Sequence, residues 1–134
     1  ERKTLRVVAR YADYANFAGT LDTFVAKSRI LDEHCEAIGR NPGEIGRTTH
    51  LFVTVGSDRA DLAKKVERTA KQIGRTADKY LASVQTIAGT AQQVIETLGA
   101  FRDAGCVHLT GYYADAVWGD SLELFAAEVM PALK

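Results

Sequence analysis

The sequence predicts an α/β protein of about three βα units built on parallel strands. Three observations carry that expectation. Short apolar or β-branched runs alternate with longer helical stripes along the chain. The run Thr48 to Val55 is apolar on both faces, as strands buried in a parallel sheet are. Glycines or capping residues stand at the junctions between the two patterns.

In chain order, Leu5, Val8 and Ala9 lie at helical spacing within Thr4 to Tyr11, so a short helix opens the chain. Tyr14 to Ala18 is a brief, mostly apolar run closed by Gly19 and reads as a strand. Thr20 is placed to cap a long helix with Leu21, Phe24, Val25, Ser28, Leu31, Cys35 and Ile38 on one stripe. Gly39 ends that helix, and Asn41-Pro42-Gly43 turns the chain. Thr48 to Val55 is the second strand, stopped by Gly56. Ser57 or Asp58 caps the next helix, whose stripe is Leu62, Val66, Ala70 and Ile73 and whose end is Gly74. A weaker helical run covers Ala77 to Val84.

Thr90 followed by Gln93 has the spacing of a capping box. It opens a helix with Val94, Leu98 and Phe101 on one face, closed by Gly105. Val107 to Gly111 reads as the third strand. Asp120 with Glu123 is placed to cap a last helix bearing Leu122, Phe125, Ala126 and Val129. Pro131 falls near its end, where a lost hydrogen bond costs least. No linker divides the chain, so residues 1–134 read as a single partial domain. Three strands alone would leave two unpaired edges and a poorly covered face. They make better sense as part of a longer βα array, and an eight-unit barrel needs about 250 residues.

Composition narrows the function classes. Seventeen basic and seventeen acidic side chains cancel, which leaves no footprint for nucleic acid or an anionic membrane. No apolar run approaches the length of a membrane span and no signal peptide opens the chain, so a cytoplasmic setting is expected. Cys35 and Cys106 sit in apolar surroundings and are expected as buried thiols. No Cys-x-x-Cys or His-x-x-x-His occurs, which disfavours zinc. The chain begins at Glu1 and its sole methionine is Met130, which reads as a fragment or a trimmed chain.

Four blocks resemble one known family. "RKTLRVVARYADYANFAG" resembles the stretch after the glycine-rich loop of luciferase-like monooxygenases, closest to their F-420-dependent oxidoreductase branch. "LDTFVAKSRILDEHCEAIGRNPGEI" is similar to the family's next helix and its Gly-Arg-x-Pro turn. "AGTAQQVIETLGAFRDAGCVHL" resembles the Gly-Thr-x-x-x-Val helix and the last barrel strand, with Cys106 where valine is common. "DSLELFAAEVMPALK" resembles the terminal helix with its Val-x-Pro-x-Leu end. The blocks stand in the family's order and cover nearly the whole chain.

The resemblance implies the C-terminal portion of a (β/α)₈ TIM barrel, starting after the fifth strand. It implies an oxidoreductase that transfers hydride between coenzyme F-420 (a deazaflavin) and a small organic substrate, or an FMN-dependent monooxygenase. It also implies homo-oligomers of the intact protein. A half-barrel without activity, serving as a structural or interaction module, is the alternative from another class.

Candidate cofactor-binding residues follow. The resemblance places the cofactor phosphate at the helix start carrying Arg2, Lys3 and Thr4, where free N–H groups and the helix dipole favour an anion. It places the ring by Asn16, Phe17 and Ala18 at a strand end, where barrels gather their active residues. Tyr112, Tyr113, Asp115 and Trp118 follow the last strand. They either pack on a substrate or ring, or fill the gap under the last helix. His34, His50 and His108 have no patterned carboxylate partner and are expected to be structural. Gly89-Thr90 is read as a helix cap. No catalytic triad, P-loop or dinucleotide fingerprint occurs, so the catalytic residue stays unnamed and the cofactor is expected to carry the chemistry.

Overall fold

A computed structural model describes residues 2–117 and 119–133, the side chain of Arg2 excepted. Helix α1 (Arg2–Tyr11) is followed by strand β1 (Tyr14–Asn16) and helix α2 (Leu21–Glu36). A short 3₁₀ turn, Pro42–Glu44, leads into β2 (Gly46–Gly56). Helices α3 (Arg59–Gln72) and α4 (Ala77–Leu81), strand β3 (Thr86–Thr90), helix α5 (Ala91–Asp103) and strand β4 (Cys106–Tyr112) come next. The last helix, α6 (Ser121–Leu124), widens to π-helical bonding over Phe125–Val129 and tightens to 3₁₀ over Met130–Leu133.

The architecture is α/β with parallel strands. β1 pairs β2 in parallel with Asn16 opposite Thr48, and β2 pairs β3 in parallel with Val55 opposite Gly89. β4 also pairs β2. The three expected strands are therefore present, with β2 next to both of the others. β3 was not expected: five residues containing Gly89 and Ala88 carry too little β signal to separate them from a loop. It runs without a turn into α5. Thr90 ends the strand, and its N–H donates to Gln93 Oε1 at 2.9 Å, the backbone half of the expected capping box.

Most junctions form as their residues dictate. Thr20 accepts from the Thr23 N–H, and Asp58 accepts from the N–H groups of Ala60 and Asp61. Gly39, Gly74 and Gly105 have φ of 72°, 70° and 90°, the left-handed backbone that lets a chain leave a helix. The expected cap by Asp120 is not made: it forms no side-chain bond to α6 and pairs with Lys65 instead. A buried cation attracts that carboxylate more strongly than a helix N–H does.

The chain forms two compact units, Glu1–His50 with Phe101–Thr110, and Leu51–Ala100 with Gly111–Lys134. In the first, α1 packs along α2. Arg40, just past α2, donates to the carbonyls of Ala9 and Ala12 at 3.0 and 2.9 Å, tying down the end of α1. Phe24 of α2 is the centre of an aromatic chain, edge-on to Phe17 at 5.8 Å and to Phe101 at 5.6 Å. In the second unit, Val66, Ala70 and Tyr80 form a core cluster against Phe52, Leu62 and Ala88. No helix of the described residues is long and apolar enough to cross a membrane.

Candidate functional site

The end of β1 is built from strand alternation. Ala15 is buried while Tyr14 and Asn16 are exposed, so β1 turns one face inward and leaves the other open. On β2, Thr49 is fully buried on one face, while Thr48, also buried, and half-buried His50 lie on the other. Register then brings three polar groups together. The Thr48 hydroxyl donates to Asn16 Oδ1 at 3.2 Å, and Asn16 Nδ2 lies 3.1 Å from His50 Nδ1. Thr48 also borders an open cleft of about 550 Å³ with Tyr14, Val107 and His108.

Helix direction relates α1 to this strand end. α2 starts just after β1, and Arg40 at its far end holds the C-terminal carbonyls of α1. The two helices therefore run the same way, and the first turn of α1 lies toward the Asn16 end of β1. Lys3 and Thr4 are exposed on that turn, while the side chain of Arg2 lies outside the described residues.

The other expected residues divide by burial. Asn16 presents a polar side chain. Phe17 is 4% exposed and packs on Phe24; its N–H donates to the Thr48 carbonyl at 2.8 Å and its carbonyl accepts from Thr49 Oγ at 2.8 Å. Only backbone neighbours of Phe17 are then open to a ligand. Ala18 is half-buried and brings no polar group. Thr48 and His50 were not singled out as site residues. Their spacing of two on a strand was the available signal, but only the pairing with β1 shows what they meet.

The loop after β4 has its own polar centre, at the end of β2 in the second unit. Asp115 and Ser121 are fully buried, and Ser121 Oγ donates to Asp115 Oδ2 at 2.6 Å while accepting the Val55 N–H at 3.1 Å. Lys65 Nζ donates to the Val55 carbonyl at 2.8 Å and to Asp61 at 2.8 Å, and pairs with Asp120. Burial by itself would lower the Lys65 pKa, but the bonds to Asp120 and Asp61 outweigh it and leave the ammonium above its ordinary value. The Lys65 hydrogen bond holds the Asp61 carboxyl below its usual range.

Aromatic residues of that loop serve packing. Tyr113 lies edge-on to Phe125 at 5.5 Å, filling space under the last helix, and Tyr112 meets Phe52 at 4.9 Å. Burial pushes the Tyr113 phenol well up, and the nearby Asp115 charge adds to it. Tyr80 is raised by burial too, while its bond with Thr54 Oγ1 at 2.8 Å acts the other way. Trp118 lies outside the described residues. Among the described residues no group of histidine, cysteine and carboxylate side chains has the arrangement of a metal site. Cys35 is buried and Cys106 half-buried, both as free thiols raised in pKa by burial.

No protein-family model and no curated protein sequence matches the chain. Solved structures do. The chain is similar to coenzyme F-420-dependent tetrahydromethanopterin reductase from Methanopyrus kandleri, with 17% identity and a TM-score of 0.74, over 100% of this chain and 49% of that one. It is similar to an F-420-dependent secondary alcohol dehydrogenase solved with an F-420–acetone adduct, with 15% identity and a TM-score of 0.72, over 99% and 46%. EDTA monooxygenase from Chelativorans sp. BNC1 gives 17% identity and a TM-score of 0.75, over 99% and 42%. At these identities the likeness is one of fold. The chain spans less than half the length of each of these structures, as a partial barrel does.

Proposed function

We propose that the protein carrying this chain is an oxidoreductase that transfers hydride between coenzyme F-420 and a small organic substrate. The observation behind this reading is the arrangement of the first unit. An exposed helix start and an exposed polar strand end lie toward the same end of a chain whose whole length shares the fold of F-420-dependent enzymes. Backbone N–H groups at Arg2, Lys3 and Thr4 would hold the phosphate, with the Thr4 hydroxyl in reach of the same anion. The residues fit such a group, because α1 is a ten-residue helix with Lys3 and Thr4 open to solvent.

Asn16 and Ala18 would border the ring, with Phe17 packed behind them in the core. When bound, the deazaflavin supplies the two-electron chemistry. This chain's part is to hold the phosphate, orient the ring and keep water from its face. The partner molecules of this reading are a small organic substrate and further copies of the intact protein.

A second reading is an FMN-dependent monooxygenase. It is favoured by the likeness to monooxygenases, among them the oxygenating constituent of 3,6-diketocamphane monooxygenase from Pseudomonas putida in complex with FMN, at 18% identity and a TM-score of 0.66. It covers 97% of this chain and 45% of that one. Titration of the complete protein with F-420 and with FMN, followed by fluorescence, separates the two. Binding of neither cofactor removes the enzymatic reading and leaves the structural module.

A further inference from the structure

Helices α1 and α2 of the first unit turn opposite charges outward. α1 buries Leu5 and Ala9, so helical spacing puts Val7, Arg10 and Tyr11 on its far side, with Arg6 on the flank. The ten residues of α1 include no carboxylate. None of the ion pairs of the described residues involves Arg6 or Arg10. Val7 is 56% and Tyr11 78% exposed, and with the two arginines they border an open groove of about 410 Å³.

α2 carries the reverse charge. It buries Phe24, Leu31 and Cys35, and the stripe opposite them is Asp22, Val25, Arg29, Glu33 and Glu36. Three carboxylates there face one arginine, and Arg29 already pairs with Glu33 of its own helix at 3.9 Å. Val25, in the same stripe, is 49% exposed. Water solvates the charges of both helices, but Val7, Tyr11 and Val25 gain by being covered. A partner for α1 must therefore offer apolar groups together with carboxylates. An extended polyanion is a poor match, because the chain as a whole has no net charge. The outward stripe of α2 meets both demands.

We propose that two copies of the complete protein associate through these faces, α1 of each copy on α2 of the other. The two helices are packed neighbours in one unit, so a single two-fold axis makes both contacts at once. Charge selects this pairing. α1 on α1 would set arginine against arginine, and α2 on α2 would set carboxylate against carboxylate. The proposal rests on the reading above only in that copies of the intact protein associate, and it names the surface by which they do.

Sedimentation equilibrium of the complete protein measures the association directly. A dimer is expected, weakened by added salt as exposed ion pairs are. Arg6→Glu combined with Arg10→Glu is expected to raise its dissociation constant about tenfold or more, since both symmetric contacts lose attraction and gain repulsion. Adding Glu33→Arg and Glu36→Arg to that variant is expected to restore the dimer with the signs exchanged. Tyr11→Ser is expected to weaken the dimer and leave its salt dependence unchanged.

A complete protein that stays monomeric overturns the proposal and leaves the cationic face to an acidic segment of another protein. A dimer indifferent to the arginine reversals overturns it too, and so does a reversal that the α2 changes fail to rescue. Cofactor binding is read separately by fluorescence. A monomer that binds F-420 or FMN sinks this proposal alone, and a dimer that binds neither sinks the redox reading alone.

Discussion

Ser121 stands in for a neighbouring strand at the end of β2: its Oγ accepts the Val55 N–H at 3.1 Å. The Phe52 N–H points toward the β3 side, to the Gln85 carbonyl, so by alternation the backbone groups of Val55 point away from β3. The Val55 N–H is met by Ser121 and the Val55 carbonyl by Lys65, at 2.8 Å. Two side chains thus satisfy backbone groups that would otherwise be buried without partners.

Ser121→Ala removes the acceptor of Val55 and the donor of Asp115 together. Both are buried, so the loss is expected to be about 2–4 kcal/mol. Denaturant unfolding of wild type and variant measures it. A change below about 0.5 kcal/mol would show that water replaces the hydroxyl.

Gly56 and Gly99 make an opposed pair. A Cβ on Gly56 would lie 2.6 Å from the backbone nitrogen and Cα of Leu62 in α3, which cannot swing aside. Gly56→Ala is expected to cost about 1–3 kcal/mol or more. Gly99 lies inside α5 with nothing within 4 Å of a Cβ, so Gly99→Ala is expected to stabilise by about 0.5–1 kcal/mol. Melting temperatures that move in the same direction would contradict this packing.

Alkali is expected to destabilise the fold. Burial raises the pKa of Cys35, Cys106, Tyr80 and Tyr113, and hydrogen bonds raise that of Lys65. Each group keeps its proton in the folded chain at a pH where the unfolded chain has begun to lose it. Stability is then full below the unfolded values, from about 8.5 for cysteine to about 10 for tyrosine and lysine, and falls as pH rises beyond them. Asp61 acts oppositely, and its contribution is lost in acid, below the ordinary aspartate range. Thermal unfolding between pH 7 and 11 tests the alkaline limb, and an unchanged midpoint across that range would refute it.

Thr4→Val in the complete protein is expected to cost on the order of 1 kcal/mol of cofactor affinity if the hydroxyl bonds the phosphate. Lys71→Met, at an exposed position of α3, is expected to change nothing. Titration of both variants with F-420 and FMN decides. Unchanged affinity in the Thr4 variant removes that side chain and leaves the phosphate to the backbone.

Sequence alone determined the local events. Thr20 and Asp58 cap helices because a short side-chain oxygen reaches N–H groups two or three residues ahead. Gly39, Gly74 and Gly105 end helices because glycine tolerates positive φ. The both-faces-apolar run of β2 was legible for the same reason, since its pattern lies within one segment. Tertiary structure decided whatever depends on partners distant in the chain. Asp120 has the look of a cap, and only the approach of Lys65 redirected it. Phe17 sits beside Asn16 in sequence, yet the position of Phe24 makes one core and leaves the other at the open face. His50 shows no partner by spacing, and only the register that sets Asn16 opposite Thr48 gives its ring a fixed hydrogen bond. The physical reason is range: caps and turns close within a few residues, whereas burial and register are set by segments that meet only after the chain has folded.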